Sequence, residues 1–294
     1  MKSRINDKIK MEHIMSSKRI HRILPMAILI GLLISTTASA DEGGSQVARY
    51  VRFQAGDRVA YGLVEGDRVR ELSGDLFGHW KKTAVTHSLS DITPLVPTVP
   101  SKVIALAGNY RDHIGEEVER EHPEAFYKIP SCLQRHEGEV RLLTENVHYE
   151  AEMVIVIGKT ARHVDESSAL DCVLGVTCGN DISARDWQAN DVQWWRAKAC
   201  DTYGPCGPFI VSGLDYDNLD MEIRVNGEVH HKTNTKLQIH GVAQSVSFLS
   251  KHITLEPGDL IFTGTSGTTR ALHPGDVVEV EIEGVGVLRN HVIP

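Results

Sequence analysis

Three carboxylates lie beside apolar runs in the middle of the chain. Glu150 and Glu152 flank Ala151 and lead into the apolar run 153–157, and Asp181 follows later. Side chains at i and i+2 of a β-strand project to the same face, so the two glutamates are expected side by side. Neighbouring carboxylates repel each other unless a cation or a proton lies between them. The spacing predicts a cation site, whereas the alternative is an ordinary solvated strand face.

The predicted ligand set contains oxygen donors and lacks a Cys or His partner. Oxygen donors suit hard cations, so Mg²⁺ is the predicted cofactor, with Mn²⁺ or Ca²⁺ as alternatives and zinc disfavoured. A hard cation held by three carboxylates keeps open positions at which a small substrate can chelate. These residues therefore favour a metal-assisted reaction.

Other residues could move a proton or bind an anion. His113 and Glu116 share one face of a helical turn, where the carboxylate can orient the imidazole and the pair can activate water. Lys128 and Lys198 stand among apolar or aromatic neighbours, where a lysine often meets an anion; the alternative is a stem lying along apolar surface. The stretch 263–268 offers hydroxyls and backbone N–H groups for a carboxylate.

Short strands are predicted on both sides of these residues. Apolar runs with turn signals between them predict strands at 47–53, 59–64, 69–72, 102–107 and 147–157. Helices are predicted from Arg111 to about Phe126 and at 167–174, and strands dominate 205–294. The class is therefore α+β with β predominating. A G-x-G-x-x-G fingerprint is absent from the sequence, which argues against a dinucleotide-binding fold.

The first forty residues have the layout of a secretory signal peptide. A basic segment precedes the apolar run 23–34, and Ala38-Ser39-Ala40 precedes acidic residues. We expect cleavage after Ala40 and export to the periplasm or the medium; the alternative is an uncleaved membrane anchor, although the run is short for a span. Translation could also start at Met11 or Met15.

A proline-rich link ends near residue 98. The prediction is therefore a signal peptide at 1–40, a small β-rich N-terminal domain at 41–98 and a larger domain at 99–294. Removal of the leader takes away seven Lys/Arg and two Asp/Glu, which lowers the net charge from −8 to −13. An acidic body argues against nucleic acid or an anionic membrane as a partner.

Five cysteines remain after the leader, and their spacing does not resemble a zinc site: Cys132, Cys172, Cys178, Cys200 and Cys206. If the protein enters an oxidising compartment, one disulfide could form, and the candidate pairs close in sequence are Cys172/Cys178 and Cys200/Cys206. We favour the alternative that each is a buried small hydrophobe.

From about Lys102 to the C-terminus the chain resembles the fumarylacetoacetate hydrolase family. The matching segments are Gly-Asn-Tyr-Arg-Asp-His at 108–113, Tyr-Glu-Ala-Glu at 149–152, Asn-Asp-Ile-Ser-Ala-Arg-Asp at 180–186, Lys198 with Asp201 and Gly207-Pro208, Val-Asn-Gly-Glu at 225–228, and Leu-Glu-Pro-Gly-Asp-Leu-Ile-Phe-Thr-Gly-Thr at 255–265. The segment before residue 98 is similar to the small N-terminal domain of some members.

The resemblance implies a mixed β-sandwich roll, usually a homodimer. It also implies a divalent metal held by Glu150, Glu152 and Asp181. By position in the matching motifs, the catalytic residues are His113, Glu116 and Lys198, with the first two as the water-activating dyad and the lysine stabilising oxyanion charge. The residues implied to line the substrate are Tyr110, Lys128, Arg185 and Thr265.

The implied substrates are 2-oxo acids or their enols, which chelate the metal. We expect hydrolysis of a C–C bond in a 2,4-dioxo acid, such as an acylpyruvate or fumarylpyruvate, through a metal-bound enolate. An oxaloacetate-type decarboxylase or a keto–enol isomerase could use the same site. An exported, non-catalytic protein that binds a metal or a 2-oxo acid is the alternative from another class.

The chain departs from the family pattern at two positions. Ser266 stands where the family usually has proline, and His231 stands where a glutamine commonly follows Asn-Gly-Glu. Neither residue is an expected metal ligand. The departures therefore bear on the choice of substrate more than on metal binding.

Overall fold

Strands dominate the computed structural model, which describes residues 47–115 and 119–294. The strands are β1 Ala48–Ala55, β2 Arg58–Glu65, β3 Arg68–Gly74, β4 Trp80–Ser88, β5 Thr93–Pro94, β6 Val103–Ala107, β7 Glu124–Lys128, β8 Leu133–Gln134, β9 Glu139–Arg141, β10 Val147–His148, β11 Ala151–Ile157, β12 Val173–Asn180, β13 Ser183–Ala184, β14 Gly204–Ser212, β15 Asp220–Val225, β16 Glu228–Asn234, β17 Leu260–Phe262, β18 Val277–Ile282 and β19 Gly286–Ile293. The helices are α1 Arg111–Ile114, α2 Glu166–Ala169, α3 Arg185–Asn190, α4 Trp195–Ala199 and α5 Val242–His252. Short 3₁₀ turns cover Leu89–Asp91, Pro130–Cys132, Leu170–Cys172 and Thr235–Leu237. The predicted β-predominant α+β class is confirmed.

A large mixed sheet carries most of the candidate site. Its strands follow the order β4-β3-β2-β1-β14-β12-β11-β17-β6-β7, with β5 paired to β1 and β8 paired to β14. The β17–β6 and β8–β14 pairs are parallel. Every residue of β11 is buried. A strand covered on both faces reads as a continuous apolar run, which explains the sequence that follows the two glutamates.

A second, five-stranded sheet has the order β16-β15-β18-β19-β9. In β15 and β18 buried side chains alternate with more exposed ones, as a half-buried strand requires. Met221 and Val280 from this sheet share one buried cluster with Met153 of β11. The two sheets therefore enclose a common core, which confirms the expected β-sandwich roll.

The strands predicted near the N-terminus are also confirmed. β1, β2 and β3 form an antiparallel meander, and β1 pairs with β14. The meander thus continues the large sheet. Whether residues 41–98 form a separate domain stays a prediction.

Between β15 and β16, Asn226 and Gly227 both have positive φ, which is the conformation that a tight hairpin turn needs.

The helix predicted from Arg111 to about Phe126 is wrong over most of its length. Among the described residues of this segment only Arg111–Ile114 is helical, and Glu124–Lys128 is the strand β7, which pairs with β6. Pro123 explains the change, because proline disfavours helical backbone in the preceding residue. Helix α5 was not predicted, although its buried Val242, Val246 and Leu249 have helical spacing.

Two predictions concern residues outside the described parts of the chain. The signal peptide and its cleavage after Ala40 fall in residues 1–46, and Glu116 falls in the gap at 116–118. Export therefore stays a prediction. Within the described residues, every helix is too short or too polar to cross a membrane.

The five cysteines are all free thiols, and each is buried except the half-buried Cys200, which agrees with the prediction that they are small buried hydrophobic residues.

Candidate active site

The three predicted carboxylate ligands meet where β11 and β12 run side by side. Glu150 directly precedes β11, Glu152 lies in β11, and Asp181 directly follows β12. The antiparallel register pairs Ala151 with Asn180 and Glu152 with Gly179, which brings the start of one strand to the end of the other. One carboxylate oxygen from each acid lies within 4.8 Å of the others, and all three residues are buried.

Backbone contacts around the carboxylates fix this corner. The amide of Asp181 donates to the carbonyl of Glu150 at 2.9 Å, and the side-chain oxygen of Asn180 accepts from the amide of Glu150, also at 2.9 Å. At Gly179 a Cβ atom would come within 2.3 Å of Val154 Cγ2, so only glycine fits there. Neither Gly179 nor Asn180 was predicted to have a role, although they are the two residues before Asp181.

Two lysines and an arginine surround the carboxylates. Lys198 Nζ, on α4, donates to Glu150 Oε2 at 2.5 Å and to Asp181 Oδ2 at 2.7 Å. Lys128 Nζ donates to Asp181 Oδ1 at 2.6 Å, and Arg185 Nη2 donates to Glu150 Oε1 at 2.7 Å. Both lysines are almost completely buried. Each lysine therefore contacts an anionic side chain of the site. This agrees with the prediction that a lysine among apolar or aromatic neighbours meets an anion.

The two glutamates have opposite shifts in pKa. Burial alone would raise the pKa of Glu150, but the Lys198 ammonium and the Arg185 guanidinium hold it well below its usual range. Burial and the nearby Asp181 and Glu150 carboxylates raise the pKa of Glu152 well above its usual value. Glu152 is the carboxylate of this site that favours a proton, or a cation, as a neighbour.

The donor set fits a hard divalent cation. Glu150, Glu152 and Asp181 supply oxygen ligands from the adjoining ends of two strands, and a cation would relieve the repulsion that Glu152 has with the other two acids. The backbone amide of Gly264 donates to Glu152 Oε2 at 2.8 Å and fixes its second oxygen. These three residues could therefore hold Mg²⁺, Mn²⁺ or Ca²⁺.

His113 lies at the rim of the same site with one ring nitrogen already bonded. Its Nδ1 is 2.7 Å from the carbonyl oxygen of Gly267. A carbonyl can only accept, so Nδ1 must carry the proton, and in the neutral ring Nε2 has the free lone pair. Glu116, the predicted orienting group, lies outside the described residues. The observed partner is therefore a backbone carbonyl that the sequence analysis did not identify.

A cavity of about 200 Å³ opens onto the carboxylates. Its lining includes the following residues: Leu106, Ala107, Gly108, His113, Ile114, Arg120, Phe126, Glu150, Glu152, Gln188, Trp194, Lys198 and Thr265. The rings of Phe126 and Trp194 pack edge to face with centroids 5.3 Å apart, which forms an apolar wall. The cavity therefore joins an acidic end to an aromatic end.

The predicted substrate-lining residues divide into two groups. Thr265 lines the cavity. Tyr110 and Lys128 are buried behind it, and Arg185 holds Glu150, Gln188 and Thr269 through its guanidinium. Three further residues line the cavity although the sequence had not marked them: Arg120, Phe126 and Gln188. Their aromatic or polar types would look the same in a core or on a surface.

Comparison with known proteins identifies the family and its solved structures. Residues 102–293 match the family model for the fumarylacetoacetate (FAA) hydrolase C-terminal domain, and residues 48–97 match the Rv2993c-like N-terminal model. A similar solved structure is 5-carboxymethyl-2-hydroxymuconate delta-isomerase from Mycobacterium smegmatis, with a TM-score of 0.79 and 37% identity over 83% of this chain and 99% of that chain.

Two further relatives carry other activities in their names. The mitochondrial oxaloacetate tautomerase of Xenopus laevis is 38% identical over 70% of this chain and 70% of its own length. The fumarylacetoacetate hydrolase of Exiguobacterium antarcticum has a TM-score of 0.76 and 31% identity over 84% of this chain and 99% of that chain. The relatives thus include an isomerase, a tautomerase and a hydrolase.

Proposed function

The chain belongs to the fumarylacetoacetate hydrolase family, and we propose that it is a divalent-metal-dependent hydrolase of small 2,4-dioxo acids. The bond that it cleaves lies between C3 and C4 of an acylpyruvate-like substrate. The preferred cation is Mg²⁺ or Mn²⁺, held by Glu150, Glu152 and Asp181.

The observation that carries this proposal is the hydrogen bond from His113 Nδ1 to the Gly267 carbonyl, 2.7 Å long. It leaves Nε2 as a proton acceptor in a residue that lines the cavity beside the carboxylates. A histidine fixed in one tautomer is the arrangement that a general base requires. Hydrolysis needs such a base, because water at neutral pH is a poor nucleophile.

The acids and Lys198 provide the charges that act on the 2-oxo end of the substrate and on the developing oxyanion. When bound there, a divalent cation supplies positive charge that polarises the 2-oxo group and the carboxylate of the substrate. Lys198 Nζ lies 2.5 Å from Glu150 Oε2 and also lines the cavity, so its ammonium can approach a developing oxyanion. The side chain of Lys198 is held by two acids, which keeps its charge in place.

The proposed steps conserve atoms and charge. His113 Nε2 takes one proton from water, and the resulting hydroxide adds to the C4 carbonyl to form a tetrahedral oxyanion. The C3–C4 bond then breaks, the C4 fragment leaves as a carboxylic acid, and the electron pair passes to C3 as the enolate of pyruvate. Return of the proton from His113 to C3 gives pyruvate and regenerates the base.

The size of the cavity favours a small substrate. A volume of about 200 Å³ lies below the typical range of drug-sized pockets, roughly 300–1,000 Å³. Acetylpyruvate and oxaloacetate therefore fit better than a substrate with a long acyl group. Phe126 and Trp194 would contact the acyl end, and Thr265 would donate to the carboxylate end.

Keto–enol tautomerisation of an oxaloacetate-like acid is the second candidate. Its support is the 38% identity to an oxaloacetate tautomerase over 70% of the chain. The same His113 base could move a proton between C3 and the 2-oxo oxygen without any attacking water. Decarboxylation of oxaloacetate would use the same charged site.

Side-by-side turnover of acetylpyruvate and oxaloacetate tests the proposal. The experiment uses the full chain treated with EDTA and then supplied with Mg²⁺ or Mn²⁺. We expect loss of the diketone absorbance with equimolar pyruvate and acetate, dependent on metal. Faster decay of enol-oxaloacetate without pyruvate would instead indicate a tautomerase, and pyruvate with CO₂ a decarboxylase.

Absence of turnover with both acetylpyruvate and oxaloacetate would contradict the proposal. If isothermal titration still detected metal binding in that case, the non-catalytic binding protein would become the better account.

Two other proposals are tested separately. We propose that the protein forms a homodimer, measured by light scattering on the eluting peak, and that it is exported, measured by the N-terminal sequence of the mature protein.

A further inference from the structure

We propose that Asp112, Ser266 and His231 form a polar clamp that positions His113 as the base. The inference rests on the proposed function, because it concerns how the proposed general base is held. The clamp joins α1, the loop 263–269 and β16 through side chains that are far apart in sequence. None of its three members is an expected metal ligand.

The clamp consists of two short contacts to one hydroxyl. Ser266 Oγ donates to Asp112 Oδ2 at 2.7 Å. His231 Nε2 lies 3.0 Å from Ser266 Oγ and 3.6 Å from Asp112 Oδ2. Ser266 is buried, whereas Asp112 and His231 are partly exposed at the side chain.

The hydrogens in the clamp can be assigned by counting. A hydroxyl has one hydrogen, and an ionised carboxylate can only accept, so the Ser266 hydrogen points to Asp112. His231 must then donate from Nε2 to the serine oxygen. The direction of donation therefore runs from His231 through Ser266 to Asp112, and each polar atom in the path has a complementary partner.

Two members of the clamp are sequence neighbours of the residues in the His113 hydrogen bond. Asp112 directly precedes His113, and Ser266 directly precedes Gly267, whose carbonyl accepts from His113 Nδ1. The ring of His231 covers Gly267 closely, since a Cβ atom there would come within 2.6 Å of His231 Cε1 and Nε2. The clamp thus fixes the donor residue and the acceptor residue relative to each other.

The local backbone gives a reason for such a clamp. Helix α1 has only four residues and no side-chain cap, and it ends at Gly115 with a positive φ. A helix of one turn is not stable by itself, because nucleation costs more than the first hydrogen bond returns. The segment 263–269 lies outside regular structure. Side-chain contacts must therefore hold these two pieces together.

Two members of the clamp, Ser266 and His231, are the departures from the family pattern noted in the sequence. A proline at position 266 has no hydroxyl, so it could neither accept from residue 231 nor donate to Asp112. Ser266 and His231 contact each other directly at 3.0 Å. The two departures therefore form one feature of this chain instead of two unrelated changes.

Kinetics of matched variants test the clamp. Ser266→Ala and His231→Leu each remove a member, and we expect kcat to fall about tenfold with KM changed less than about twofold, because positioning of the base is lost while substrate contacts remain. His231→Gln keeps a side-chain N–H donor and should restore most of kcat. The double variant should be no worse than either single variant, since both changes break one network.

Nitrogen NMR of ¹⁵N-histidine-labelled protein gives a readout that needs no substrate. The His113 signals are assigned by their loss in His113→Gln, and exposed His273→Gln serves as the labelling control. In the unmodified protein we expect the proton on Nδ1, and in Ser266→Ala we expect a mixture of tautomers. Unfolding temperatures of the variants show whether they remain folded.

The two readouts separate the clamp from the proposed function. An unchanged His113 tautomer and an unchanged kcat in folded Ser266→Ala would overturn the clamp. Equal loss of kcat in His231→Gln and His231→Leu would also overturn it, because donation would then be irrelevant. A changed tautomer in a protein that converts none of the proposed substrates would keep the clamp and reject the hydrolase proposal.

Discussion

At the residue scale, the role of each charged group follows from its partner. Lys128 and Lys198 look alike in the sequence, since each stands among apolar neighbours. In the structure Lys198 lines the cavity, whereas Lys128 lies behind it and bonds Asp181 and the carbonyl of Tyr203. We therefore assign a reactive role to Lys198 and a supporting role to Lys128.

Replacement of His113 should separate chemistry from metal binding. His113→Ala removes the proposed base but leaves the three carboxylates unchanged, so we expect at least about a hundredfold loss of kcat with metal affinity retained. Glu150→Ala removes a ligand and should abolish both. Titration calorimetry and turnover measure the two effects. Loss of metal binding in His113→Ala would contradict the assigned role.

Replacement of Lys128 should mainly reduce stability. Lys128 and Asp181 are both fully buried, so Lys128→Met leaves a buried carboxylate with one cation fewer. Breaking a buried ion pair from one side costs about 3–5 kcal/mol. Urea unfolding should show a decrease of this size in the free energy of unfolding. Exposed Lys251→Met on α5 is the control and should change it little.

At the element scale, side-chain hydrogen bonds join the loops that border the site. Asn109 lies just after β6 and is almost fully buried. Its amide donates to the carbonyls of Thr263 at 2.8 Å and His240 at 3.0 Å, and its oxygen accepts from the amide of His240 at 2.8 Å. One side chain therefore joins its own segment to the segments that bear His240 and Thr263.

Asn109→Ala should loosen the loop that bears Gly264 and Thr265. Three buried hydrogen bonds are lost and their backbone partners stay unpaired, so we expect a loss of about 2–4 kcal/mol in the free energy of unfolding and a higher KM. Chemical denaturation and steady-state kinetics measure these effects. Asn190→Ala removes one exposed hydrogen bond, to the Asp186 carbonyl, and is the matched control. Equal effects in both variants would argue against this role.

The sequence predicted elements well where one local pattern dominates. The run 153–157 and the meander before residue 98 have clear apolar patterns, and both are strands. The helix prediction failed at 124–126, because pairing of β7 with β6 outweighs a polar, helix-like composition. It also missed the Gly267 carbonyl, since a backbone acceptor has no residue type that marks it. The carboxylate site was predictable because Glu150 and Glu152 have the spacing of one strand face and because they and Asp181 lie in segments that resemble family motifs.

At the scale of the whole molecule, the metal should act as a stabilising ligand. A cation that binds only the folded chain at one hundred times its Kd adds about 2.7 kcal/mol to stability. We expect the unfolding temperature of EDTA-treated protein to rise on addition of Mg²⁺ or Mn²⁺. In Glu152→Gln this rise should disappear.

Glu152→Gln should also stabilise the metal-free protein. The pKa of Glu152 is raised in the folded state by burial and by two neighbouring acids. A carboxyl whose pKa is raised on folding destabilises the protein as pH increases above the unfolded value, about 4.3. The metal-free protein should therefore lose stability as the pH rises from the unfolded-state pKa towards the raised folded-state pKa, and Glu152→Gln should reduce this loss. Thermal unfolding across pH measures it, and an unchanged pH dependence would contradict the prediction.

The position of β17 in the large sheet has a consequence for how the chain folds. β17 spans residues 260–262, yet it lies between β6 and β11, which are formed by much earlier segments. A growing polypeptide that ends before residue 260 cannot join those two strands, and it also lacks the Gly264 amide that bonds Glu152. Long-range pairing of this kind slows folding. The amide that holds Glu152 is therefore added to the candidate cation site only after the segments that bear its three carboxylates have been synthesised.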